Sequence, residues 1–143
     1  MMDKKNSPEK SRELIAAAKE ACKSSYSPYS RFAVGAAILL DGGEVVTGCN
    51  VENASYGLSL CAERSAMAAA VMRGAGKPIA IAIVCGEGRS CPPCGACRQF
   101  LAEFNPRMTV ILEDSAGSAV YALEDLLPVN FALEKEENTK NNV

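Results

Sequence analysis

Three cysteines and one glutamate have the spacing of a catalytic metal site. Cys61 and Glu63 are separated by one residue, and Cys94 and Cys97 form a C-x-x-C pair later in the chain. Cysteine thiolates are common zinc ligands, and three protein ligands leave the fourth tetrahedral position open to water. A carboxyl group beside that position can act as a general acid and base. The pattern predicts a hydrolytic Zn²⁺ site with three cysteine ligands and Glu63 as the catalytic residue.

A closed structural zinc site is the alternative. Cys91 precedes Cys94 by three residues, so it could supply a fourth thiolate and make the protein a non-catalytic zinc-binding interaction module. Pro93 before Cys94, Glu63 beside Cys61 and a predicted helix start at each site favour the open arrangement. The other thiols lie on apolar periodic segments and are interpreted as buried small hydrophobic residues: Cys22, Cys49 and Cys85.

The charge of such a site requires compensation. Three thiolates around Zn²⁺ give a net negative cluster, which weakens the metal as a Lewis acid. Arg64 follows Glu63, and Arg98 follows Cys97. We predict that the two guanidinium groups donate hydrogen bonds to cysteine sulfurs and withdraw charge from them.

Composition limits the classes of partner. A chain of 143 residues with a formal charge of −2 and no long run of Lys or Arg lacks the basic surface that nucleic-acid binding requires. We expect no nucleic-acid partner and no membrane partner, because no apolar run is long enough to span a bilayer. The N-terminal residues show no signal-peptide pattern, and the odd number of cysteines, seven, does not indicate a disulfide framework. Both observations favour a cytoplasmic location.

The order of the predicted elements favours an α/β fold. Helices are predicted over residues 8–24, 60–73 and 94–104, with a brief helical turn at 123–127. Strands are predicted over 33–40, 44–50, 79–85, 108–112 and 120–121. Together they predict a three-layer αβα sandwich with a mixed, roughly five-stranded sheet. Residues 1–133 form one predicted domain, and residues 134–143 are a polar, flexible tail.

Several longer motifs occur in one order: Ser27-Pro28-Tyr29-Ser30, Asn50-Val51-Glu52-Asn53, Cys61-Ala62-Glu63-Arg64 and Pro93-Cys94-Gly95-Ala96-Cys97-Arg98-Gln99. Over residues 26–131 the chain resembles the small homotetrameric cytidine deaminases, which are zinc enzymes. Cys61 occupies the position at which many related deaminases have a histidine ligand. The resemblance implies their fold, one zinc per subunit, a small-molecule nucleoside substrate and a homotetramer with shared active sites. The implied reaction is hydrolysis of cytidine and deoxycytidine to uridine and deoxyuridine with release of ammonia.

The resemblance also implies roles for the pocket residues. Asn50 and Glu52 would hydrogen-bond the ribose 3′-hydroxyl, and Phe32 would stack on the pyrimidine ring. Backbone groups of Ala62, together with the Glu63 carboxyl, would bind the polar edge of the ring. Without the resemblance, an Asn and a Glu that follow a strand are more often turn or cap residues, and a Phe that begins a strand is usually part of the core.

Two further positions extend the comparison to neighbouring subunits. Tyr56 and Phe131 resemble residues that reach a neighbour's pocket.

The Glu52 carboxylate would repel a 3′-phosphate, which favours a free nucleoside over DNA or RNA. Blasticidin S deaminases share the zinc site and remain an alternative, although they resemble this chain less around Asn50-Val51-Glu52-Asn53.

Overall fold

The computed structural model describes residues 7–135 of the chain. Its first helix, α1, spans Pro8–Cys22. The Ser7 hydroxyl caps this helix by accepting a hydrogen bond of 3.2 Å from the Lys10 amide, and proline is favoured at the first helical position. One face of α1 is buried against the sheet through Leu14, Ile15, Ala18 and Cys22.

Five strands form the predicted mixed sheet, in the spatial order β2-β1-β3-β4-β5. Their bounds are β1 Val34–Leu40, β2 Val45–Cys49, β3 Pro78–Cys85, β4 Thr109–Asp114 and β5 Gly117–Ala122. β3 and β4 pair in parallel, and the other neighbours pair antiparallel. All of β1 and nearly all of β3 are buried, because helices cover both faces of these central strands.

The remaining helices lie on the face opposite α1 and complete the predicted three layers. They are α2 Ala62–Arg73, α3 Gly95–Ala102 and the short α4 Leu123–Leu126. One core cluster, including Ile38, Met67 and Leu101, fills the space between the sheet and these helices. A second, including Leu14 and Leu39, lies between the sheet and α1. The predicted fold class is therefore confirmed.

The boundaries differ from the predictions in a few places. A short 3-10 helix, Tyr56–Leu58, occupies the segment expected to be a loop, and β5 is longer than the two residues predicted. β5 is mostly exposed and contains small residues, so it lacks the apolar pattern that identifies a strand. Residues 136–143 of the predicted tail lie outside the described residues. Within residues 7–135, no helix combines the length and apolar character needed to cross a membrane.

Candidate active site

The three predicted ligands meet at the N-termini of α2 and α3. Cys61 and Cys94 occupy the N-cap positions of these helices, and Cys97 lies in the first turn of α3. An N-cap residue usually satisfies a free amide of the first turn with its side chain. Neither cysteine makes such a bond. Their sulfurs therefore remain available as ligands in the positive field of two helix N-termini.

The sulfur positions fit a tetrahedral zinc ion. The Sγ atoms of Cys61, Cys94 and Cys97 all lie within 4.8 Å of one another, and those of Cys61 and Cys94 are 3.8 Å apart. Tetrahedral Zn–S bonds of about 2.3 Å place neighbouring sulfurs about 3.8 Å apart. The donor set and its spacing therefore match the metal predicted from the sequence.

Cys91 does not belong to this ligand set. The cluster found within residues 7–135 comprises Cys61, Cys94 and Cys97. Burial raises the pKa of the Cys91 thiol to about 12, with the nearby Glu63 carboxyl adding to the effect. Cys91 instead forms part of the cavity wall. The geometry therefore favours the open, three-cysteine site over the closed four-cysteine alternative.

The sulfurs of Cys61 and Cys97 lie within 4.8 Å of each other. Interaction with Cys97 and, less strongly, with the guanidinium of Arg64 lowers the pKa of Cys61 to about 5. Interaction with Cys61, together with burial, raises the pKa of Cys97. The site thus favours the thiolate form at Cys61, and thiolates are the form that ligates metal.

The two arginines have different partners. Arg64 donates from one terminal nitrogen to the Cys61 sulfur at 3.7 Å and to the Ser59 carbonyl at 3.2 Å. Arg98 donates to the Leu126 carbonyl at 2.7 Å. In both side chains the Nε atom is buried and has no hydrogen-bond partner within the described part of the chain. The Arg64 contact puts a positive charge beside Cys61, and such a charge fits a cluster of thiolates around a metal ion.

Glu63 is a buried carboxyl group in the first turn of α2. The residue is 4% exposed. Burial is the main cause that raises its pKa above the ordinary glutamate value, and the neighbouring Cys61 adds to the effect. A carboxyl group with a raised pKa is suited to taking up and releasing protons near neutral pH.

A cavity of about 310 Å³ opens beside the sulfur cluster. Its volume is at the lower end of the range for small-molecule sites. The walls bring together residues from four separate segments of the chain: Phe32, Asn50, Glu52, Cys61, Ala62, Glu63, Cys91 and Cys94. Ala62 is the first residue of α2, so its backbone amide is one of the free helical donors at the cavity.

Asn50 holds the chain around Phe32. Its Nδ2 donates to the Phe32 carbonyl at 2.7 Å, while its Oδ1 accepts from the Val34 amide at 2.8 Å and from the Ser25 hydroxyl. The sequence predicted a substrate ligand here and missed this internal role. One Nδ2 hydrogen of Asn50 remains free for a ligand.

Glu52 is held in a similar way. Its carboxylate accepts from the amides of Tyr29 at 3.0 Å and Ser30 at 3.1 Å, and from the Ser30 hydroxyl. Ser30 was not predicted as a site residue, since a serine in a Pro-containing turn carries no local signal beyond the turn itself. Glu52 therefore fixes the loop and faces the cavity.

Comparison with known proteins identifies the family to which this site belongs. Residues 8–113 match the family described as the cytidine and deoxycytidylate deaminase zinc-binding region. The chain belongs to the cytidine and deoxycytidylate deaminase family. The family predicted from the sequence motifs is thereby confirmed. The matched region includes all three clustered cysteines, Cys61, Cys94 and Cys97.

Individual relatives of this deaminase are similar over most of their length. A cytidine deaminase of Halalkalibacterium halodurans is 45% identical over 123 residues, which is 85% of this chain and 93% of the relative. One from Mycobacterium tuberculosis is 49% identical over 117 residues, covering 82% and 86%. The crystal structure of the Burkholderia pseudomallei cytidine deaminase has a TM-score of 0.79 and 45% identity, covering 84% of this chain and 98% of that one.

The two residues expected to serve a neighbouring subunit of the deaminase are both exposed. Tyr56 is 76% exposed and stacks edge-on against Tyr29, with ring centroids 6.0 Å apart. Phe131 is 68% exposed, and its backbone is held on α3 by Gln99 through hydrogen bonds of 2.8 and 3.2 Å. Phe131 does not line the cavity formed by residues 7–135 of its own chain.

Proposed function

We propose that this protein is a zinc-dependent cytidine deaminase that hydrolyses cytidine and deoxycytidine to uridine and deoxyuridine, releasing ammonia. The observation that carries the proposal is the position of Glu63. Glu63 is buried and lines a cavity that Cys61 and Cys94 also line. Membership of the deaminase family and the similarity to named cytidine deaminases support the choice of substrate.

Cys61, Cys94 and Cys97 would hold the zinc ion. A zinc ion with three protein ligands supplies Lewis-acid chemistry that makes water a nucleophile near neutral pH. Arg64 partly neutralises the thiolates by its contact with Cys61. Arg98 Nε is buried and has no hydrogen-bond partner in residues 7–135, so Arg98 would have a donor free for the same role.

Glu63 would move the protons. Its carboxylate takes a proton from the attacking water and gives it to the ring nitrogen of the pyrimidine. It then takes the remaining proton of the hydroxyl added at C4 and gives it to the amino group, so that the C4 carbonyl forms as the C–N bond breaks and ammonia leaves. Burial favours the protonated form of Glu63, so the second transfer starts from an acid of suitable strength. One side chain thus serves as base and then as acid.

The cavity would select a free nucleoside. Phe32 provides an apolar face for the pyrimidine, and the first-turn amide of Ala62 can bind its polar edge. Asn50 and Glu52 lie on the same wall, and each has hydrogen-bonding capacity left for the ribose 3′-hydroxyl. These two residues also favour cytidine over the blasticidin S alternative.

The active unit would be a homotetramer whose sites are shared between subunits. Two observations support this: the large exposed fractions of Tyr56 and Phe131 and the absence of Phe131 from the cavity that residues 7–135 of its own chain form. Sedimentation analysis gives the subunit number. Mixing Glu63→Ala subunits with Phe131→Ala subunits should restore part of the activity if sites are shared. A cytoplasmic location stays a prediction that cell fractionation can check.

A Glu63→Ala variant tests the proposed function. We expect it to keep its zinc content and melting temperature while the rate of cytidine absorbance loss falls by about 10²–10⁴-fold. Glu124→Ala is the matched control, because Glu124 is an exposed carboxylate on α4. Absence of cytidine deamination in the wild-type zinc-loaded protein would refute the proposal, as would full activity in Glu63→Ala.

Arg64→Gln and Arg98→Gln test the charge compensation. Each variant removes the guanidinium charge and keeps a polar side chain. We expect reduced turnover or reduced zinc retention in both, measured by deamination rate and by metal analysis after dialysis. Full activity and full metal content in both variants would contradict this role.

A further inference from the structure

The hydroxyl of Ser30 hydrogen-bonds two residues that line the cavity. Ser30 Oγ contacts the Glu52 carboxylate and also lies 3.0 Å from the Phe32 amide nitrogen. Glu52 and Phe32 line the cavity beside the sulfur cluster, whereas the exposed Ser30 borders a neighbouring pocket together with Glu52. Between Ser30 and Phe32, Arg31 adopts a left-handed backbone conformation with φ of 56°, which is unfavourable for a residue with a side chain.

The directions of these hydrogen bonds are fixed by chemistry. An ionised carboxylate is only an acceptor, so the Ser30 hydroxyl must donate its single hydrogen to Glu52. The Phe32 amide is only a donor, so it uses a lone pair of the same oxygen. The hydrogen bond from Ser30 is the main cause that holds the pKa of Glu52 below its usual range. The carboxylate is therefore charged at neutral pH.

Phe32 depends on side chains for its backbone hydrogen bonds. Its amide donates to Ser30 Oγ, and its carbonyl accepts from Asn50 Nδ2 at 2.7 Å. Phe32 precedes β1 and is outside the sheet ladder. The position of its ring therefore follows the positions of Ser30 and Asn50.

We propose that Ser30 is a positioning residue that couples recognition of the ribose 3′-hydroxyl at Glu52 to the placement of the Phe32 ring against the pyrimidine. This inference rests on the proposed function, since it assumes a nucleoside in the cavity. A 3′-hydroxyl that donates to Glu52 engages the same carboxylate that accepts from Ser30. The linked groups are then the 3′-hydroxyl, Glu52, Ser30 and the Phe32 amide.

The test combines Ser30→Ala with two nucleosides that differ only in the 3′-hydroxyl, 2′-deoxycytidine and 2′,3′-dideoxycytidine. The variant should fold, because the amides of Tyr29 and Ser30 still hold Glu52. We expect kcat/KM for deoxycytidine to fall about tenfold and that for dideoxycytidine about twofold, from the usual strength of a hydrogen bond to a charged group. The loss should appear in KM, with kcat nearly unchanged, since Ser30 does not touch Glu63 or the ligands.

Two variants serve as controls. Ser30→Thr keeps the hydroxyl at an exposed position and should restore discrimination between the two nucleosides. Ser27→Ala removes a hydroxyl from the same turn that donates to Ser25 Oγ at 3.1 Å, since the single Ser25 hydrogen goes to Asn50 Oδ1. Within residues 7–135 this hydroxyl forms no hydrogen bond with Glu52 or Phe32. It should leave the discrimination unchanged.

Equal losses for both nucleosides, or no loss for either, would overturn the role of Ser30. Calorimetric titration with the products 2′-deoxyuridine and 2′,3′-dideoxyuridine measures the same discrimination without turnover. If the wild-type protein deaminates neither nucleoside, the proposed function fails, while the product titrations still decide whether Ser30 couples the two contacts.

Discussion

The two sides of the cavity are built in different ways. The metal side consists of Cys61, Glu63, Cys94 and Cys97, and all four lie at or within the first turn of α2 or α3. Those helices pack on the core of the sheet, and Cys97 is fully buried while Glu63 is 4% exposed. The backbone of two packed helices therefore fixes the metal side.

The other side, which we call the sugar side after the proposed function, is formed by Phe32, Asn50 and Glu52. These residues, and Ser30 that hydrogen-bonds Glu52 and Phe32, lie outside the helices and strands. These residues are held by hydrogen bonds between side chains and loop backbone. Each such bond contributes about 0.5–1.5 kcal/mol, or more when a charged group takes part. We therefore expect single substitutions on the metal side to abolish zinc binding and activity, and single substitutions on the sugar side to weaken substrate binding only partly.

The largest effect is expected from Cys97→Ser. Loss of one of three ligands should remove zinc and all measurable deamination, and the protein should no longer gain thermal stability when zinc is added. Metal analysis and melting curves with and without a chelator measure this. Cys85→Ser is the control, because Cys85 donates to the Arg89 carbonyl at 3.2 Å and is outside the ligand set. It should keep its zinc.

A smaller effect is expected when the support of α2 is disturbed by Gly48→Ala. A Cβ atom at Gly48 would lie 2.8 Å from the Ala62 carbonyl and 2.5 Å from Ser65 Oγ, so α2 must shift. We expect about 1–3 kcal/mol of destabilisation and a reduced kcat, since Ala62 lies between Cys61 and Glu63.

Gly35→Ala is the matched control for Gly48→Ala. A Cβ there would lie 2.5 Å from the Cys22 amide nitrogen of α1, on the other face of the sheet. It should destabilise the protein in denaturant titrations but leave kcat of the folded fraction unchanged. Equal kcat losses in both variants would show that the metal side does not depend specifically on the packing of α2 against β2.

Next in size is Asn50→Ala on the sugar side. It leaves the Val34 amide and the Phe32 carbonyl without their partner, so we expect KM for cytidine to rise about tenfold or more and stability to fall by about 1–3 kcal/mol. Asn105→Ala is the control. Asn105 likewise bonds backbone groups, those of Pro78 and Arg107, but it lies beyond the far end of α3. It should lower stability with no change in KM.

The smallest effect is expected from Arg89→Met. The Arg89 guanidinium lies over the Phe32 ring, 4.9 Å from its centroid, and also pairs with Glu87 at 3.2 Å. An exposed cation–π contact contributes about 0.5–1 kcal/mol, so KM should rise about two- to fivefold with kcat unchanged. Glu87→Gln removes the competing ion pair and should not raise KM. If Glu87→Gln alone raised KM, the KM effect would come from the loop that contains Glu87 and Arg89 and not from the contact of Arg89 with the Phe32 ring.

The metal side was predictable because its signal is local. The spacing of Cys94 and Cys97 puts both on one helical face, and the predicted helix starts lie within a residue or two of the observed ones. The sugar side was predictable only in part. Asn50 and Glu52 were predicted to bind substrate, but their bonds to the loop before β1 join residues more than fifteen positions apart, as the Phe32–Asn50 separation of 18 shows. Sequence periodicity carries no information on such pairs.

Residue types and their spacing predicted the three cysteine ligands, Glu63 as the proposed catalytic carboxyl, and the order of helices and strands, since each depends on chemistry or periodicity within a short segment. The order of the longer motifs identified the family. Only the tertiary structure decided that Cys91 stands outside the ligand set, that Glu63 is buried, and that Ser30 connects Glu52 to Phe32. Burial and hydrogen-bond partners arise when distant segments pack together, so they depend on the arrangement of the whole sheet and its helices rather than on any one motif.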